Sequence, residues 1–332
     1  MGCEEMNAFE ESPEILRDFL MYLSVVKGKS PATVNEYFLD LRTFFRYLKI
    51  SRGLAKKDED ILQMDIKDVD EALIKSVTLN DAYGFMLYLK NDRNNKELAR
   101  ARKVSALSSF FKYLTNRKMI IDKNPMEELE APKAGKRLPK YLSLDQCYEL
   151  LNAVDGQFKE RDYCILVLFL NCGMRVSELC SINYNSIHDN KLNIIGKGNK
   201  ERKVYLNKAC LDAIDAYMKV RPADGIKDRY ALFISQRGTR LSVKSVQAMV
   251  NKYLEKIGLG GQGYSVHKLR HTAATLMYQY GGVDIRILKE ILGHENLATT
   301  EIYTHLSDTQ MEQAVNSNPL AKLNVKNKSS EK

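Results

Sequence analysis

Tyr303 lies in "ILGHENLATTEIYTH" (291–305), a stretch with two histidines, a helix-stopping glycine and a largely polar setting for an aromatic ring. A phenol in such a setting can act as a nucleophile. Its ordinary pKa is near 10, so only about 0.1% is ionised at neutral pH. It therefore needs a base or concentrated positive charge beside it. Three other pieces of chain, and His294 within this one, supply such groups. "CGMRVSEL" carries Arg175 after a glycine turn, with Glu178 three residues on. "GKGNKERK" carries Lys197 at the tip of an expected hairpin. "HKLRH" puts His267, Arg270 and His271 on one face of a helix. His294 follows Gly293, the glycine that ends a helical pattern.

Each piece alone has a plain reading. Arg175 can pair locally with Glu178, and a hairpin lysine is usually solvated. Histidines four apart can be packing residues or can chelate zinc. The zinc hydrolase pattern, however, requires glutamate after the first histidine, and Lys268 stands there, which also disfavours a cation. Together the pieces suit attack on a phosphodiester. Two guanidiniums can grip the nonbridging oxygens with paired donors, which a lysine does less well. The leaving 5′ oxygen needs a proton, which a lysine or imidazole can give. No Asp/Glu cluster with metal-ligand spacing appears, so the expected chemistry uses arginines, with no metal and no cofactor.

Helices must position most of these groups. In "SPATVNEYFLDLRTFFRYL", Val34, Tyr37, Phe38, Leu41, Phe44, Phe45 and Leu48 recur at steps of three and four, one wide apolar stripe. Ser30 and Pro31 open it as cap and first-turn proline. Thr78 and Asp81 predict a capping box before "LNDAYGFMLYLK", and "KELARARKVSALSSFFKYL" is basic in front and apolar behind. With "EILRDFLMYL" these make a helical first domain, residues 1–137. The polar stretch 51–76 reads as a connection with a short helix. A linker at about 122–142 holds Pro125, Pro132, Pro139 and the cations Lys133, Lys136, Arg137 and Lys140. The second domain, 138–332, reads as mixed. Ser143 and Gln146 predict another capping box, "ERDYCILVLFLNCG" a buried helix ending at Gly173, and "KLNII" and "KERKVYLN" a hairpin with a third strand before it. Asn207 predicts a cap for the helices that follow.

The 332 residues carry a net charge of +9, which favours polyanionic partners, nucleic acid first. The six cysteines form no C-x-x-C pair and several lie in apolar runs, as reduced buried thiols do. The acidic opening lacks the apolar core of a secretory leader, Met6 stands where an acylation signal wants Ser or Thr, and "CILVLFL" is too short to span a bilayer. A cytoplasmic protein is expected, with no membrane partner.

The pieces "GMRVSEL", "IIGKGNKERKVYL", "HKLRHTAATLM" and "ILGHENLATTEIYTH", in this order and spacing, resemble the tyrosine recombinases of the phage integrase family. The resemblance covers nearly the whole chain and is nearest to the compact Xer-type enzymes. It implies a mainly α fold with a small β-sheet: an all-helical core-binding domain and a mixed α/β catalytic domain, closing as a C-shaped clamp on DNA. It implies a site-specific recombinase that cleaves and rejoins double-stranded DNA through a 3′-phosphotyrosine, without metal or ATP. Arg175 and Arg270 would bind the scissile phosphate and Lys197 would protonate the 5′ oxygen. His267 would act as acid/base, His294 would hydrogen-bond the phosphate, Tyr303 would be the nucleophile and Glu178 a supporting residue. His271 falls outside this set and is read as structural. A homo- or hetero-tetramer on paired sites is implied, with the C-terminal stretch docking on a neighbour. Arg102, Lys103, Lys136 and Arg137 are the expected backbone contacts.

Three other readings stay open on the residues alone: an inactive DNA-binding protein of the same fold, a relaxing topoisomerase with the same chemistry, and a metal-dependent phosphodiesterase. Intact Arg175, Arg270 and Tyr303 weigh against the first, and EDTA-insensitive cleavage would remove the last.

Overall fold

The Ser30 hydroxyl accepts a hydrogen bond from the backbone N–H of Thr33 at 3.3 Å, and Pro31 follows it, opening the longest helix of the chain's first half. The computed structural model describes residues 8–55, 60–132, 140–195 and 201–293, and Thr300. It forms two compact units, Met1–Lys136 and Arg137–Lys332.

The first unit contains helices α1 (Glu14–Met21), α2 (Pro31–Ser51), α3 (Glu71–Lys75), α4 (Leu79–Asn91) and α5 (Glu97–Tyr113). The α2 stripe is buried at Val34, Phe38, Leu41, Phe44, Phe45 and Leu48. Its rings meet others edge-on: Phe44 with Phe85 at 5.2 Å and Phe45 with Phe110 at 5.8 Å. Such pairs add about 0.5–1.5 kcal/mol each beyond simple burial. Thr78 and Asp81 form the reciprocal capping box at the start of α4.

The polar stretch between α2 and α4 does more than connect. Met64, Ile66, Val69 and Ile74 are buried, and all but Met64 sit in the core of this unit. The amine of Lys49 donates to the Asp65 carbonyl at 2.9 Å and to both Asp68 carboxylate oxygens at 2.8 Å, pinning the stretch to α2. Its apolar residues are single and irregularly spaced, so composition hides their burial.

The second unit contains α6 (Leu144–Asn152), α7 (Lys159–Cys172) and α8 (Val176–Ser181). Strands β1 (Ile187–His188), β2 (Lys191–Ile195) and β3 (Glu201–Tyr205) follow, then α9 (Lys208–Val220), α10 (Val243–Lys256), α11 (Val266–Gln279) and α12 (Ile285–Leu292). The sheet is antiparallel in the order β1-β2-β3, with Leu192 opposite Val204 and Ile194 opposite Arg202. Helix α7 is buried continuously from Cys164 to Leu170, and α9 and α11 pack against it. Truncating Phe169, wholly buried there, to Ala would cost about 3–5 kcal/mol. The fold is mainly α with a small sheet, a helical unit followed by a mixed one. Among the described residues, no helix is long and apolar enough to cross a membrane.

Candidate active site

Helix α7 ends at Gly173, whose φ of +59° is the left-handed conformation that glycine adopts without strain. A Cβ there would also lie 2.9 Å from Leu292 Cδ2. The tight turn delivers Arg175 to the start of α8. There its backbone N–H donates to Glu178 Oε2 at 2.7 Å and its Nη1 donates to Glu178 Oε1 at 2.8 Å.

Glu178 is 2% exposed and serves three guanidiniums. Besides Arg175, Arg202 Nη2 donates to Oε2 at 2.8 Å, and Arg270 Nη1 lies 3.9 Å from that oxygen. Burial pushes the carboxyl pKa up. The hydrogen bond from Arg202, the amide of Arg175 and the charges around it outweigh burial and hold it below the usual range. Glu178 is therefore a buried anion at neutral pH.

On α11, His267, Arg270 and His271 share one face, with the two imidazoles edge-to-face at 4.7 Å. Arg270 is 3% exposed; its Nη1 donates to the Gly173 carbonyl at 2.8 Å and its Nη2 to the Leu292 carbonyl at 2.6 Å. Burial, then the charges of Arg270, Lys268 and Arg175, push the His267 pKa down, so its imidazole is neutral at pH 7.

Helix α12 stops at Gly293, with φ of +63°. Its last carbonyls are held by three arginines from three elements. Arg202 donates to Ile291, Arg270 to Leu292 and Arg175 Nη2 to Gly293, the last at 3.1 Å. These are the orphan acceptors at the negative end of a helix, where cations are favoured. Arg175, His267 and Arg270 line one pocket of about 450 Å³ together with Gln247, Asn251 and Ser265.

Lys197, His294, Tyr303, Lys136 and Arg137 lie outside the described residues. In the first unit, Arg102 Nη1 pairs with Glu36 and Asp40 at 2.6 Å each and keeps a half-exposed side chain. Lys103 is buried, its amine donating to Asp40 Oδ1 at 2.6 Å, so a phosphate contact by Lys103 requires breaking a buried ion pair. Arg202 escapes a reading by motif, because the run "GKGNKERK" draws attention to its turn. The signal is its phase: it shares the inward face of β3 with Val204, where an alternating strand places apolar residues. Among the described residues, no group of three or more His, Cys, Asp or Glu is arranged to hold a metal ion.

The sequence pattern of the phage integrase family matches residues 140–310, and that of the phage integrase N-terminal SAM-like domain matches residues 16–118. The chain belongs to the phage integrase family. Within that family its relatives include Xer-type tyrosine recombinases. It is 55% identical over 309 residues to tyrosine recombinase XerC of Caldanaerobacter subterraneus subsp. tengcongensis, covering 93% of this chain and 88% of that one. It is 36% identical to tyrosine recombinase XerC of Alcanivorax borkumensis, covering 88% and 89%. In fold it is similar to XerH site-specific recombinase bound to palindromic difH substrate in a post-cleavage complex, with a TM-score of 0.66, 21% identity and coverage of 88% and 81%. A lambda integrase dimer bound to a COC′ core site gives 0.64 at 18% identity, covering 86% and 95%. This phage integrase family member is a site-specific tyrosine recombinase, an enzyme of DNA recombination.

Proposed function

We propose that this recombinase cleaves and rejoins double-stranded DNA through a 3′-phosphotyrosine formed by Tyr303. The phenolic oxygen attacks the scissile phosphorus and the bond to the 5′ oxygen breaks. Lys197 gives the departing 5′ oxygen its proton. His267, neutral at pH 7, takes up the phenol proton. Arg175 and Arg270 grip the nonbridging oxygens as negative charge gathers on them, His294 adds a hydrogen bond, and Glu178 holds Arg175 in place. Because the new bond is again a phosphate ester, rejoining needs no ATP. The observation that carries this reading is the convergence of Arg175, Arg270 and a neutral imidazole on one pocket, with both guanidiniums already oriented by protein acceptors.

Duplex DNA as partner is supported by the XerH and lambda integrase complexes, both of which hold DNA. We further place the two units as core-binding and catalytic domains, with four protomers acting on paired sites in the cytoplasm. Arg102, Lys136 and Arg137 are the proposed backbone contacts.

The test uses a nicked suicide duplex and denaturing gels. The wild-type chain should become covalently joined to DNA. Tyr303→Phe should bind the duplex equally well and give no covalent product. A covalent product from Tyr303→Phe would remove the assignment of the nucleophile.

A further inference from the structure

Cys172 and Cys210 are 38 residues apart in sequence, yet their sulfurs stand 3.7 Å from each other. Cys172 is the last residue of α7, and Cys210 lies in the first turn of α9, which packs against α7. Both side chains are buried. Cys172 Sγ also lies 3.9 Å from the Tyr205 carbonyl oxygen, at the end of β3. The strand-transfer chemistry proposed above uses neither sulfur. The pair differs from other buried thiols of the chain. Burial pushes the thiols of Cys147 and Cys180 up to about 11. At Cys210 the hydrogen bond from Cys172 outweighs burial and brings the thiol below its ordinary value, and the same contact raises Cys172. The first turn of a helix favours a thiolate in the same sense. Cys210 is therefore the sulfur that ionises, and Cys172 stands beside it to complete a bond.

We propose that Cys172 and Cys210 form a reversible dithiol–disulfide couple that hydrogen peroxide closes, and that the closed form cleaves DNA more slowly. The Cys210 thiolate attacks one peroxide oxygen, the O–O bond breaks, and the departing hydroxide takes a proton and leaves as water. Cys172 then gives up its proton and attacks the new sulfenic sulfur; the S–O bond breaks and a second water leaves. The two thiols lose two electrons, and one peroxide is reduced to two waters. A thiol reductant reopens the bond by exchange, as for the transient disulfides of a reducing compartment. Peroxide is little larger than water, so a local opening of the contact between α7 and α9 admits it.

The effect on cleavage follows from what the bond adjoins. The sulfurs must close from 3.7 Å to about 2.05 Å. Cys172 immediately precedes Gly173, whose turn delivers Arg175 and has little slack: an added Cβ there would lie 2.9 Å from Leu292 Cδ2. The chain between the two cysteines also carries Lys197 and Glu178, which pairs with Arg175 at 2.8 Å. A misplacement of about 1 Å at a positioning group can cost about 100-fold in rate. The slowing rests on the reading of Arg175 as part of the phosphate grip; the bond itself does not.

The test treats the full wild-type chain with hydrogen peroxide, caps the remaining thiols with N-ethylmaleimide and maps its peptides without reduction. The peptides holding Cys172 and Cys210 should appear joined and should separate with dithiothreitol. Single-turnover cleavage of the suicide duplex should fall by about 10-fold or more on oxidation and return with dithiothreitol. Cys210→Ala and, independently, Cys172→Ala should cleave like reduced wild type and ignore peroxide. If circular dichroism shows one of them unfolded, the other decides; if both are unfolded, recovery of the wild type with dithiothreitol decides, since that reagent does not reverse methionine oxidation. Absence of the joined peptides, or Cys210 joined to Cys164 instead, would overturn the inference. So would an oxidised wild type that cleaves at the reduced rate, or alanine variants slowed as much as wild type. Should Arg175→Ala cleave like wild type, the phosphate grip falls, and the peptide map alone decides the bond.

Discussion

Arg270 and Arg175 donate to the successive carbonyls of Leu292 and Gly293, across 22 and 118 residues of sequence. The groups proposed to grip the scissile phosphate are therefore also the caps of α12. Removing either has two consequences, and they can be measured separately.

Arg270→Ala should lower the cleavage rate about 10²–10³-fold, the usual effect of deleting one preorganised donor. It also strips the Gly173 and Leu292 carbonyls of their Arg270 donors. Leaving such groups unsatisfied costs about 1–3 kcal/mol, so urea unfolding should shift to lower denaturant as well. Arg270→Lys should recover stability better than rate, because one ammonium cannot span two acceptors or offer a planar fork.

Gly173→Ala should destabilise the second unit by more than about 1 kcal/mol, since it meets both a left-handed φ and a methyl contact at 2.9 Å from Leu292 Cδ2. Its effect on cleavage should exceed its effect on DNA affinity, because the turn sets the approach of Arg175. Thermal unfolding and single-turnover cleavage check this pair of outcomes.

The pH dependence follows from His267. Its folded pKa lies below the ordinary imidazole value, and between the two the unfolded chain binds more protons. Stability therefore rises with pH through that window. The contribution is fully present above about 6.5 and is lost as pH falls through the folded value. Cleavage should decline over the same acid limb, where the imidazole can no longer accept the phenol proton. His267→Asn should cleave slowly and flatten both limbs; a wild-type limb retained in that variant would assign the titration elsewhere.

Lys103→Met should expose whether Lys103 serves the fold or the DNA. Burial pushes the Asp40 carboxyl up, and Lys103 is the first group opposing it. Losing one partner of a buried pair costs about 3–5 kcal/mol, and Asp40→Asn in the same chain should restore part of that. DNA affinity, measured where the variant is folded, should hold. Arg102→Ala should instead reduce the slope of log affinity against log salt by about 0.9, the value for one phosphate contact on duplex DNA.

Much of the architecture was legible because it is written locally. Ser143 and Gln146 cap α6 reciprocally, Asn207 accepts from the Cys210 amide, and "HKLRH" places its three side chains on one face of α11. Spacing and side-chain chemistry suffice for features that close within one turn. The hub at Glu178 was only half legible: Arg175 is three residues away, whereas Arg202 arrives from a strand and Arg270 from a helix much later. The burial of Met64, Ile66 and Val69 was hidden for a similar reason, since nothing periodic marks them and the core that Ile66 and Val69 join is gathered from helices distant in sequence. The irregular segment between α9 and α10 makes bridges such as Asn183 with Ala231, a pairing no local pattern announces.

The three arginines on the last turn of α12 also bear on how this lineage can change. A descendant that shed the proposed phosphate grip while keeping a stable body would have to mend a helix end in the same step, since Arg175 and Arg270 hold that end as well. On that reading, decay into a passive binder is obstructed by the fold itself, and drift in sequence is steered away from the positions proposed for catalysis.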